Sequence, residues 1–240
     1  MGVVMGTACR ESRPTPSFPQ SQVAISSDGV AVRYEAHGLG DPPLVLVHGW
    51  CADWTYWENQ VAFFSRHHLV VTLDLAGHGE SGRNRLHWSM RAFAEDVLAV
   101  IHQLQLNAAV LVGHSMGGTV ILEAARRAPR NVATLVPVDT FFDVERRLSA
   151  EQAGTFLRPF EQDFQAAARR FIGDNMFTRA TDPALREAIL ADVTRSAPVV
   201  AVESMSSLLT YDTMSALQEV RAPIHCINSD RYETKITVAL

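Results

Sequence analysis

The chain has 240 residues, 47% of them hydrophobic and 20% charged, a composition that excludes wholesale disorder. Its 21 basic and 26 acidic residues leave a net charge of −5, which argues against a nucleic-acid binder, because such a protein needs a basic face. No apolar run approaches the roughly 18 residues of a membrane-spanning helix.

Residues 11–22 are rich in serine and proline, and residues 1–22 read as a disordered segment ahead of a domain covering 23–240. Residues 23–26 and 30–35 alternate apolar and polar around Asp28-Gly29, a dipeptide that signals a hairpin. Residues 44–47 form a short, wholly apolar run, as a strand buried on both faces requires. Trp54, Trp57, Val61 and Phe64 then recur at helical spacing. A second buried strand at 69–73 ends in Asp74. Met90, Phe93, Val97, Ile101 and Leu104 mark an amphipathic helix. A strand at 109–112, a helix at 119–128 stopped by Pro129, and a strand at 135–138 ending in Asp139 follow. Short apolar strands alternating with helices imply an α/β fold, a mostly parallel, doubly wound sheet.

Residues 141–219 break that rhythm. Ser149 with Gln152 is a capping-box pair, and Asp182-Pro183 places an N-cap before a proline at the first helical position. Only helices are read here, so the stretch is a helical cap of about 141–219 inserted after the sixth strand. Its aromatic and aliphatic residues (Phe141, Phe142, Phe156, Phe160, Phe164, Phe171, Met176, Phe177) are read mainly as cap core, a minority facing an apolar pocket. Residues 223–228 return to strand.

The cysteines are Cys9, Cys51 and Cys226, a set with neither disulfide-framework nor zinc-site spacing. Cys226, in an apolar run, reads as a small buried hydrophobe. Cys9 follows a short apolar stretch. The chain is read as cytoplasmic, with lipid anchoring or export through Cys9 as the alternative.

Gly113-His114-Ser115-Met116-Gly117 directly follows a buried strand and opens a helix. A nucleophile elbow needs that placement, since its glycines relieve crowding around a strained turn that lifts the serine oxygen clear of the sheet. His48-Gly49-Trp50 ends the earlier strand. Glycine lets the chain turn there so that the Trp50 N–H and the Met116 N–H can form a two-donor oxyanion hole.

With Asp74-Leu75-Ala76-Gly77-His78-Gly79-Glu80-Ser81 between them, these motifs resemble the α/β-hydrolase superfamily over most of the chain. The resemblance implies an eight-stranded sheet with a helical cap and a triad in the order serine, acid, histidine. It carries Ser115 over as nucleophile and the Trp50 and Met116 amides as oxyanion donors, and gives His78 a structural place. It implies no metal or organic cofactor, and the pocket-facing apolar residues of the cap point to a small apolar acyl compound as substrate.

The acid falls in Ser229-Asp230-Arg231-Tyr232, where Tyr232 occupies the usual position. Asp230, two residues earlier, is preferred, and Asp139 after the sixth strand is the alternative. The nine histidines all precede this turn, and His225 reads as a core histidine. The expectation is therefore a hydrolase lacking its last strand, last helix and general base. A serine esterase is the leading function, with a cofactor-free perhydrolase of haloperoxidase type and an impaired or non-catalytic binder of apolar ligands as alternatives.

Overall fold

A computed structural model describes residues 21–230; Cys9 and Tyr232 lie outside them. Gln22–Ile25 (β1) and Ala31–His37 (β2) form the expected antiparallel hairpin, turned at Gly29, whose φ of +83° lies in the left-handed region that favours glycine. Leu44–Val47 (β3), Val70–Leu73 (β4), Ala109–His114 (β5) and Val132–Val138 (β6) complete a sheet of order β1-β2-β4-β3-β5-β6. β3 runs parallel to β4 and β5, and β5 to β6, while β2 pairs antiparallel with β1 and β4.

Side-chain alternation divides the core between the two faces. Leu44, Leu46 and Val70 meet Trp57 and Val61, supplied by a 3-10 turn at Trp54–Trp57 and the helix Glu58–Phe64 (α1). Phe64, expected on the buried stripe, ends α1 half-exposed. Val45, Val47, Val71, Leu73 and Leu111 face the other way into the larger core, covered by Met90–Gln103 (α2) and Met116–Arg127 (α3). Helix α3 thus begins three residues earlier than its apolar pattern suggested, directly after Ser115.

Among the described residues five helices follow β6: Ala150–Gln162 (α4), Phe164–Asn175 (α5), Pro183–Thr194 (α6), Pro198–Leu209 (α7) and Thr213–Glu219 (α8). Both arms of the Ser149–Gln152 capping box are made, and Asp182 accepts from the Ala184 and Leu185 N–H groups with Pro183 in the first turn. Of the aromatic and aliphatic residues expected as cap core, Phe141, Phe160 and Phe164 are buried, whereas Met176 is 49% exposed.

The strand expected at 223–228 is present as two parallel bridges to β6, Leu135 with Ile224 and Val138 with Ile227. Two expectations fail here. Cys226 is exposed rather than buried, and so is His225. Backbone bonds to Leu135 and Pro137 hold the segment on the β6 side, but packing leaves these two side chains uncovered among the described residues.

Candidate active site

Ser115 sits between β5 and α3 at φ +52° and ψ −117°. Such backbone costs a residue with a Cβ on the order of 1–3 kcal/mol, so the surroundings must hold it. They do so through main-chain bonds: the Ser115 N–H donates to Val138 O at 2.8 Å, and its carbonyl accepts from the Gly118 N–H at 2.9 Å and from Thr140 Oγ1 at 2.8 Å. The motif glycines are required by close approach. A Cβ at Gly113 would lie 2.3 Å from the Gly117 carbonyl oxygen, and one at Gly117 would lie 2.5 Å from Val47 O. Both obstacles are backbone, which cannot swing aside.

Gly49 brings the end of β3 against this turn. A Cβ there would meet His114 Nδ1 at 2.9 Å and Ser115 Cβ at 3.3 Å. The backbone N–H groups of Trp50 and Met116 donate to no group among the described residues. Met116 is the first residue of α3, where a helix leaves its N–H free.

The Trp50 side chain has a second role that no local sequence pattern signals. Its Nε1–H donates to Ala201 O on α7 at 2.8 Å, and its ring meets Phe160, Phe164 and Phe171 edge-on at 5.9, 6.2 and 6.0 Å. Two further bonds hold α7 down: the Trp88 N–H donates to Glu203 Oε2 and the Met90 N–H to Ser207 Oγ. The residue after Gly49 therefore ties the β3 turn to the helical segment. Aromatic spacing in α4 and α5 was the available signal, but it could not name the partner.

The histidines near this turn are neutral struts. His48 Nε2 accepts from the Leu75 N–H at 3.0 Å, so Nδ1 carries the proton and donates to Gly49 O at 2.8 Å. Complete burial pushes its pKa down to about 4. His78 donates from Nδ1 to Ala76 O and is pushed down to about 3, mainly by burial. Burial also lowers His114, against the opposing pull of Asp139. Among the described residues no histidine nitrogen is hydrogen-bonded to Ser115 Oγ.

Of the carboxylates, Asp74 is fully buried and accepts from the Trp54 and Glu80 N–H groups, so it fixes loops. Asp139, at the end of β6 with φ +48°, accepts from the Ser229 N–H at 2.7 Å. Asp230 is the next residue and is exposed. The two candidate acids thus lie at the same end of neighbouring strands. No group of three or more His, Cys, Asp or Glu side chains among the described residues is placed to hold a metal ion.

The alpha/beta hydrolase fold family matches residues 42–208, well over half of the chain. The chain belongs to that family. It is 30% identical to the pimeloyl-[acyl-carrier protein] methyl ester esterase of Sodalis glossinidius, over 81% of this chain and 77% of that one. It is 35% identical to a non-heme chloroperoxidase of Streptomyces lividans, over 59% of this chain and 52% of that one. The esterase of Exiguobacterium antarcticum superposes with a TM-score of 0.77 at 20% identity, covering 86% of this chain and 80% of that one, which is a likeness of fold. Against several curated relatives the chain spans about half of their length or less. This alpha/beta hydrolase therefore shares its family with esterases and haloperoxidases, and no helix among its described residues is long and apolar enough to cross a membrane.

Proposed function

We propose that this alpha/beta hydrolase is a serine esterase that cleaves an ester or similar small apolar acyl substrate through an acyl-enzyme on Ser115. The observation that carries this reading is Ser115 itself, held at φ +52° against the Gly49 turn. Stored strain at such a position points to a functional site. In the reaction Ser115 Oγ attacks the acyl carbonyl and the Trp50 and Met116 N–H groups hold the oxyanion. The alcohol then leaves with a proton, and water releases the acid and restores the hydroxyl. Removing one oxyanion donor typically costs about 10²–10³ in kcat.

We assign the acid to Asp230 and a supporting part to Asp139, whose carboxylate is engaged by the Ser229 N–H and so orders the turn that carries Asp230. The likeness to the Streptomyces chloroperoxidase supports a second reading in which hydrogen peroxide replaces water at the acyl-enzyme and a peracid leaves. The lack of a histidine bonded to Ser115 among the described residues favours a third, in which an apolar ligand binds with little turnover, since a serine without a proton acceptor is a weak nucleophile.

Hydrolysis of p-nitrophenyl acetate separates these. The esterase reading predicts turnover that Ser115→Ala abolishes and that Asp230→Asn reduces more than Asp139→Asn. Turnover that survives in Ser115→Ala refutes it, and a greater loss in Asp139→Asn reverses the assignment of the acid. Bromination of a diketone in peroxide and acetate, lost in Ser115→Ala, would establish the peracid route.

A further inference from the structure

A pocket of about 240 Å³ opens between α4, α5, α7 and the loop before α4, lined by Arg146, Leu148, Phe156, Phe171, Met205, Leu208 and Leu209. Its walls are apolar apart from one cation. Two neighbouring arginines stand on that loop in different circumstances. Arg147 donates to Asp212 at 2.7 Å and to Thr210 O at 3.0 Å, so its charge is already paired. The Arg146 guanidinium has no carboxylate partner among the described residues and is exposed. One wall adjoins the aromatic cluster around Trp50: Phe171 packs edge-on against the Trp50 ring at 6.0 Å and against Phe156 at 5.8 Å.

We infer that this pocket is the subsite for an apolar acyl chain ending in an anionic group, with Arg146 holding that group at the mouth. The inference rests on the esterase reading and adds the substrate class to it. Its volume matches about eight waters at roughly 30 Å³ each, room for a chain of roughly six to eight methylene groups. The apolar lining favours the chain by burial. At the rim of a low-dielectric pocket an unpaired guanidinium attracts an anion more strongly than it would in open water, and its fork suits a carboxylate's two oxygens. A neutral-ended chain gains only the burial.

The test compares the monomethyl ester of octanedioic acid with the dimethyl ester of the same acid. In the Ser115→Ala chain, which separates binding from turnover, calorimetry should show the half-ester bound at least tenfold more tightly than the diester. Arg146→Gln added to that background should bring the ratio to about one, whereas Arg147→Gln should leave it unchanged. In the chain with Ser115 intact, the half-ester should have the lower KM by a similar factor, again erased by Arg146→Gln. Equal affinity for the two esters, or a preference that survives Arg146→Gln, overturns the subsite. If p-nitrophenyl acetate is hydrolysed through Ser115 while the two octanedioic esters bind alike, the subsite fails and the esterase reading stands. If the half-ester binds through Arg146 and no ester is hydrolysed, the esterase reading fails and with it the acyl role, leaving an anion-terminated binding pocket.

Discussion

At Ser115 and its neighbours, single atoms decide what the chain tolerates. A methyl group at Gly117 would need the space of Val47 O and His48 O, at 2.5 and 2.6 Å, so Gly117→Ala must push α3 away from β3. We expect a loss of at least about 2 kcal/mol, which for a chain of this size lowers Tm by roughly 4–8 °C. Gly154 provides the contrast. It lies within α4 and an added Cβ meets nothing within 4 Å, so Gly154→Ala should stabilise by roughly 0.5–1 kcal/mol. Thermal unfolding followed by circular dichroism checks both, and a destabilised Gly154→Ala beside an unaffected Gly117→Ala would contradict this account of the elbow. The motif glycines were legible in the sequence because Gly113 and Gly117 flank Ser115 directly where a strand run gives way to a helix run, although the backbone that Gly117 must avoid, at Val47 and His48, is distant in the chain. The indole bond of Trp50 to Ala201 was not, since it joins residues 151 positions apart and no local pattern encodes a partner so distant.

At the scale of elements, buried His48 ties the end of β3 to the Leu75 N–H just after β4, and buried His78 braces the turn that follows through Ala76 O. Both have pKa values below the ordinary 6.5, at about 4 for His48 and about 3 for His78. The sign follows directly. Between these values and 6.5 the unfolded chain binds more protons than the folded one, so the stability these rings confer is complete above 6.5 and is lost as pH falls below it. Urea midpoints should therefore drop from pH 7 to pH 5, and the His48 ring should show no titration near 6.5 by NMR. A flat urea profile, or a His48 ring titrating near its ordinary value, would contradict the neutral strut. Strand and helix positions read well from apolar periodicity, and both helix caps at Ser149 and Asp182 were legible because capping is local chemistry. The segment 223–228 read less well. Its apolar pattern gave the strand but not which neighbour covers each face, so His225 and Cys226 were misplaced inward.

Across the whole molecule, one buried cation joins distant parts of the chain. Arg85 pairs with Asp96 on α2 and with Asp28 in the hairpin turn at 2.7 Å. Asp96 is fully buried and also accepts from the Ala76 N–H. Removing Arg85 strands that carboxylate, so Arg85→Met should cost about 3–5 kcal/mol, and Arg85→Met with Asp96→Leu should recover a large part of it. Urea denaturation of the single and double variants decides this; a single variant as stable as the parent would show that the pair does not tie the hairpin to α2. The fold class and the order of its motifs were visible because they rest on many residues at once, whereas Asp139 and Asp230 stayed alternatives because two strand ends converge on one place. The central claim, that the strained serine is the nucleophile, is tested most directly by mass spectrometry after exposure to a fluorophosphonate. The account predicts one adduct, on the peptide containing Ser115, and none in Ser115→Ala. An unlabelled protein, or an adduct that persists in Ser115→Ala, would contradict it.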